Sequence, residues 1–214
     1  AATNTNVNGR SILVNGDVNL NGTSNMLDFT TTGGYSLTNG AALNLNGASS
    51  GFSANGTTYT VIRDVNQLQA MNSNLAGDYV LAANIDASDT VNWNSGAGFV
   101  PVGSPGSSFS GALDGLGHEV SGLFINLPSS SYVGLFGHVQ QGVLRNVGVV
   151  NANITGAGYV GGLVGYVAVD ASKSAQISRA YSSGSVKAVS QYLSAGGLIG
   201  QADVRGDNAS INIS

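Results

Sequence analysis

The chain contains no cysteine, three prolines, one tryptophan and very little charge. Without cysteine there is neither a disulfide framework nor a thiolate metal site, while the compartment stays open, because many secreted bacterial proteins avoid the residue too. Charged residues make up 8% of the 214 positions, against about a quarter in an ordinary globular protein. Lysine and arginine total seven and the formal net charge is −4. No basic surface can therefore neutralise phosphates, which argues against nucleic acid and anionic membranes as partners. No apolar run approaches the ~18 residues of a membrane span, so membrane insertion is not expected. The opening AATNTNVNGR has no charged segment followed by an apolar one, and the chain ends within a repeat at ASINIS. The expectation is an excised part of a longer protein, starting after any export signal.

What fills the chain instead is apolar residues at 42%, 32 glycines, and many Asn, Ser and Thr. This composition suits a stacked β-structure with many tight turns. One glycine-rich phrase recurs: YVGLFG, YVGGLVG and AGGLIG, with the first Gly of each G-L-x-G at Gly134, Gly162 and Gly197 and the last at Gly137, Gly165 and Gly200. The spacings of 28 and 35 residues fall in the range of solenoids and arrays, whose units cannot bury an apolar face alone. Alternate apolar residues such as Val133, Leu135 and Val139 should point inward, with the glycines allowing close backbone packing or left-handed corners.

A second recurrence lies upstream, where LVNGDVNLNG at 13–22 returns as LTNGAALNLNG at 37–47, an offset of 24 to 25 residues. Asn-Gly pairs often mark two-residue hairpins, but a hairpin gives no reason for such a period, so these pairs read as corner formers of a coil. Between the two recurrences the pattern changes. Asp64 followed by Gln67 resembles a capping box, Val65, Leu68, Met71 and Leu75 fall at helical spacing, and Gly77 should stop the helix. The fold class predicted is all-β, a right-handed parallel β-helix with one short helix near 64–75. It divides into Asn-Gly-rich coils at 1–56, a strand-helix-strand capping segment at 57–98 and glycine-phrase coils at 99–214, all in one continuous solenoid.

The three phrases resemble the GLUG motif, and YTVI…LQAMN…LAGDYVLAANIDAS…WNSGAGFVPVG…FSGALDGLGH resembles the matching region of filamentous-haemagglutinin-like exoproteins of two-partner secretion. The likeness covers about 57–200. It departs at Leu113, where such proteins often have Phe, at Glu119, and in the third phrase, which lacks the Tyr-Val opening. The N-P-N-G motif of the family's secretion domain is absent, which places the segment downstream of that domain. The resemblance implies a non-enzymatic part of a large secreted adhesin at the bacterial cell surface. It would act as a rigid rod in attachment, cell-cell aggregation or binding of biofilm matrix exopolysaccharide. Its partners would be matrix polysaccharide, glycans on host or neighbouring cells and, for the whole protein, the outer-membrane transporter. The alternatives are a polysaccharide-degrading β-helix enzyme and a pure spacer.

Among chemical candidates, Asp114 and His118 in LDGLGHEV are the most enzyme-like pair. A glycosidase, however, needs two opposed carboxylates, and a lyase needs Ca²⁺ ligands with a cationic base. An Asx turn at Asp114 and a backbone hydrogen bond from His118 at a corner account for both more simply. No catalytic residue, cofactor or metal site is therefore assigned. Asp86 and Asp89 lack the rest of a calcium loop, His138 is isolated, and GLVG has no P-loop lysine. Trp93 is the candidate for stacking on a sugar, with Tyr132, Tyr159, Tyr166, Tyr181 and Tyr192 as further aromatic faces. Packing the helix against the coil is the competing role for Trp93. Asn21, Asn55, Asn153 and Asn208 lie in N-x-Ser/Thr sequons.

Overall fold

The computed structural model describes residues 4–190 and 194–214. It is an all-β architecture in which almost every strand pair is parallel. Strand Asn4–Gly9 pairs with Met26–Thr31, which pairs with Gly51–Ala54. Ile12–Val14 lies on Tyr35–Leu37, and Val18–Asn19 on Leu43–Asn44. Residues 22 to 25 apart thus become neighbours on three successive sides. The period-2 pattern explains the side chains. Leu20, Leu43 and Leu45 are buried, while the intervening asparagines form ladders, Asn44 Nδ2 donating to Asn19 Oδ1 at 3.0 Å and Asn46 Nδ2 to Asn21 Oδ1 at 2.7 Å. Amide ladders of this kind satisfy outward polar groups between identical layers.

The second stack starts at Thr60–Ile62 and proceeds through Asp78–Leu81, Ala112–Asp114, Val143–Gly161, Ser174–Ala188 and Ser210–Ile213, each parallel to the one before. Its glycine phrases fall in one column. Phe136 pairs with Val164 and Val164 with Ile199, while the Leu163 amide donates to Leu198 O at 3.0 Å and the Phe136 amide to Leu163 O at 2.8 Å. The recurrence read in the sequence is therefore a spatial repeat, each copy being a bend between two strands whose leucine, Leu135 or Leu163, is fully buried.

Several expectations need correction. Asn55-Gly56 is a true hairpin, since Ser53–Ala54 pairs antiparallel with Thr57–Thr58 and both turn residues have positive φ (52° and 80°). This turn leads the chain out of the first stack. The helix forms at Val65–Ala70, capped by the Asp64 carboxylate accepting from the Gln67 amide at 2.8 Å, with a 3-10 turn over Met71–Ser73. It ends before Gly77, which instead leaves room for the Tyr79 ring. A second helical stretch, 3-10 turns over Ser88–Gly96 broken at Trp93–Ser95, was not expected. Its polarity gives no apolar stripe to read.

Two hydrophobic cores result. One fills the first stack and takes in Val80, Ala82 and Leu116 from the outer face of the second; the other fills the second stack from Ile62 to Ile177. At the joint, the Leu43 amide donates to Leu116 O and the Leu45 amide to Ala82 O, both at 2.9 Å. Residues 82 and 116 belong to adjacent layers, so two residues of advance along 43–45 cross one layer. The strands of the first stack run across the layers of the second.

Candidate functional site

The joint holds the most conspicuous polar cluster. Asp114 is 1% exposed, and its Oδ1 accepts from the Leu116 amide at 2.9 Å and Asn146 Nδ2 at 2.8 Å. Its Oδ2 accepts from the Tyr35 hydroxyl and from Arg145 Nε at 2.7 Å. The Leu116 bond is the Asx turn expected from the sequence. Four donors saturate the carboxylate, leaving no lone pair for a substrate proton. Arg145 also lies 4.5 Å over the Tyr35 ring and donates to its hydroxyl at 2.8 Å. Burial, then the adjacent carboxylate, pushes the Tyr35 phenol far above its ordinary range. His118 turns away to other partners, its Nε2–H donating to Leu43 O at 3.0 Å, and burial lowers its pKa. The enzyme-like pair thus stitches two stacks together. Tyr35 and Arg145, the partners that sequence reasoning missed, are 110 residues apart, and no local pattern could join them.

Asp86 and Asp89 also work locally. Asp86 Oδ1 accepts from the Ser88 amide at 2.9 Å, which holds its carboxyl below the usual range. Asp89 accepts from Asn92 Nδ2 at 2.9 Å and from Trp93 Nε1 at 3.4 Å. Among the described residues no group of three or more His, Asp or Glu side chains is placed to hold a metal ion.

Trp93 is half-buried, stacked on Phe99 with ring centroids 6.3 Å apart and an interplanar angle of 23°. Through that stack it packs on the second core. It also lines an open groove of about 380 Å³ with Asn66, Gln69, Asn94 and Val100. The groove wall is fixed: Gln69 donates to Val100 O and accepts from its amide, both at 2.9 Å. The loop after Trp93 is strained, with Asn94 and Ser95 at φ 50° and 56°, and is held by Asn94 Nδ2 donating to Gly98 O at 2.8 Å. Left-handed non-glycine residues persist only where surrounding structure enforces them. The sequence pointed to Trp93 but gave no sign of Asn66 and Gln69, which come from the helix.

The other aromatics gather at the glycine phrases. Tyr132, Tyr159, Tyr166 and His138 form one cluster with centroids 5.1 to 5.9 Å apart, edged by Arg205, which donates to the Tyr166 hydroxyl at 2.6 Å. Tyr181 stands apart, bonded to Glu119 and, through partial burial and that bond, pushed up to about 12. Tyr192 lies outside the described residues. The left-handed positions at the phrases belong to Tyr132 (φ 65°) and Tyr159 (φ 51°), not to the glycines.

No family model matches the chain, and no solved structure matches it. An alignment of 127 positions that covers 53% of the chain is 38% identical to Halomucin of Haloquadratum walsbyi, and one of 74 positions that covers 33% is 36% identical to a putative Gly-rich membrane protein of Evansella cellulosilytica. The matches span 1% and 9% of these relatives' own lengths. Among the described residues no helix is long and apolar enough to cross a membrane.

Proposed function

We propose that this chain is a non-enzymatic segment of a large secreted surface protein, in which the second stack is a right-handed parallel β-helix that serves as a rigid length of an adhesive rod. In-register stacking of the glycine phrases carries the reading: identical layers ~4.8 Å apart extend indefinitely, and each stabilises its neighbours. The mucin in one relative's name and the membrane in the other's support a place at or outside the cell envelope. A match to 1% of Halomucin suits a module of a very long chain. The resemblance to two-partner-secretion adhesins gives the role, attachment or aggregation through matrix exopolysaccharide or the glycans of neighbouring cells, with an outer-membrane transporter exporting the parent protein. Low charge with abundant Asn, Ser and Thr favours hydrogen bonding to neutral glycans.

The immobilised segment, challenged with a panel of matrix polysaccharides, should retain at least one of them and release neither new reducing ends nor unsaturated uronates. Product formation would overturn the non-enzymatic reading, and retention of none would overturn the adhesive one.

A further inference from the structure

The groove at Trp93 has a composition that selects a ligand. An indole fixed by stacking on Phe99 presents an apolar ring at a wall otherwise made of carboxamides and one valine. The Asn66 side chain is exposed and bonds to no other side chain or backbone group among the described residues, whereas both polar atoms of Gln69 are committed to Val100. Asn94 spends its amide nitrogen on Gly98, leaving Oδ1 as an acceptor. No lysine or arginine is among the residues that line the groove, and the Asp89 carboxylate is bonded to Trp93 Nε1.

We infer that this groove is a saccharide subsite: a neutral pyranose lays its C–H face on Trp93 and bonds through its hydroxyls to Asn66 and Asn94. The C–H face of a pyranose is apolar and complements the electron-rich indole face, while its equatorial hydroxyls both donate and accept, as carboxamides do. An acidic sugar would bring a second carboxylate beside Asp89 with no cation to offset it. The strained Asn94–Ser95 turn keeps the Trp93 wall in place before the ligand arrives, which lowers the entropy cost of binding. This inference deepens the adhesive reading and rests on it.

Trp93 is the chain's sole tryptophan, so intrinsic emission reports on this groove alone. Titration with cellohexaose, laminarihexaose and mannohexaose should give a saturable change in emission for at least one, and hexagalacturonate should give none. Asn66→Ala, a change on an exposed helix face, should weaken binding roughly fivefold, the worth of one net hydrogen bond. Trp93→Ala, followed by calorimetry, should weaken it about tenfold or more, and Trp93→Phe should restore part of the loss. No emission change with any neutral probe, an equal change with the uronate, or full affinity in Asn66→Ala would overturn the subsite. If Trp93→Ala still retained polysaccharide on a surface, the adhesive reading would stand and this site would fall.

Discussion

At the scale of single residues, the glycines of the repeated phrase are required by close approach rather than by unusual torsion. None of the six has a positive φ. A Cβ on Gly165 would meet the backbone of the layer before, Val133 N at 2.5 Å and Tyr132 C at 2.7 Å, and one on Gly162 would collide with Ser182 Oγ and reach Gly197 O at 2.5 Å. Gly197, in the outermost layer, has nothing within 4 Å. We therefore expect Gly165→Ala to cost roughly 2 kcal/mol, the scale of overpacking against rigid neighbours, and Gly197→Ala to be nearly neutral in urea denaturation. Equal effects would remove the close-packing account. Ser172, in the exposed loop between Val164–Asp170 and Ser174–Ala188, has φ 61°, so Ser172→Val should be costly despite its exposure. The buried histidines set a pH response. Burial lowers the pKa values of His118 and His138 from 6.5, so below 6.5 the unfolded chain binds more protons than the folded one. Stability should be level above about pH 7 and fall as pH drops from 6.5 towards the depressed folded values. His118→Gln should flatten part of that slope in melts between pH 7.5 and 5.

At the scale of elements, the joint depends on the charge pair at Asp114. Removing one member of a buried pair strands the other. Asp114→Asn should therefore cost about 3 kcal/mol, whereas Tyr35→Phe, which keeps the ring under Arg145, should cost less; paired chemical denaturation curves would rank the two. What could be read in advance divides along the same line. The helix at Val65–Ala70, its cap at Asp64, the layers of the Asn-Gly region and the column of glycine phrases rest on local periodicity and recurrence, which a sequence displays directly. The joint was not legible, because Val80 on a strand and Ala82 and Leu116 just beyond strand ends are apolar residues that a lone stack would leave in water. Nor were the left-handed positions at Leu116, Tyr132, Tyr159 and Arg179, since none of these residues favours that region and only the surrounding layers place them there. Of the candidate groove, the indole was visible and Asn66 and Gln69 were not, because these two come from an element more than twenty residues upstream.

At the scale of the whole molecule, two cores that meet across a crossed joint predict two zones of stability. Arg63 links them, donating from its two Nη atoms to Leu45 O at 2.6 Å and Ser50 O at 2.7 Å, both in the first stack. Arg63→Ala would leave those carbonyls without their donor at the margin of the first core, a loss of roughly 2 kcal/mol for charged hydrogen bonds. In a stacked architecture such damage reaches nearest neighbours and decays. Hydrogen exchange should therefore quicken through Met26–Thr31, Tyr35–Leu37 and Leu43–Asn44, while Phe136–Gln140 and Val164–Asp170 keep their protection. The piece 57–214, expressed alone, should still melt cooperatively, since its core from Ile62 to Ile177 is complete without the first stack. It should, however, bind more hydrophobic dye than the whole chain, because Val80, Ala82 and Leu116 lose their cover. Uniform loss of protection in Arg63→Ala, or failure of 57–214 to fold, would show that the two cores form one cooperative unit and that the joint is a continuation of a single stack.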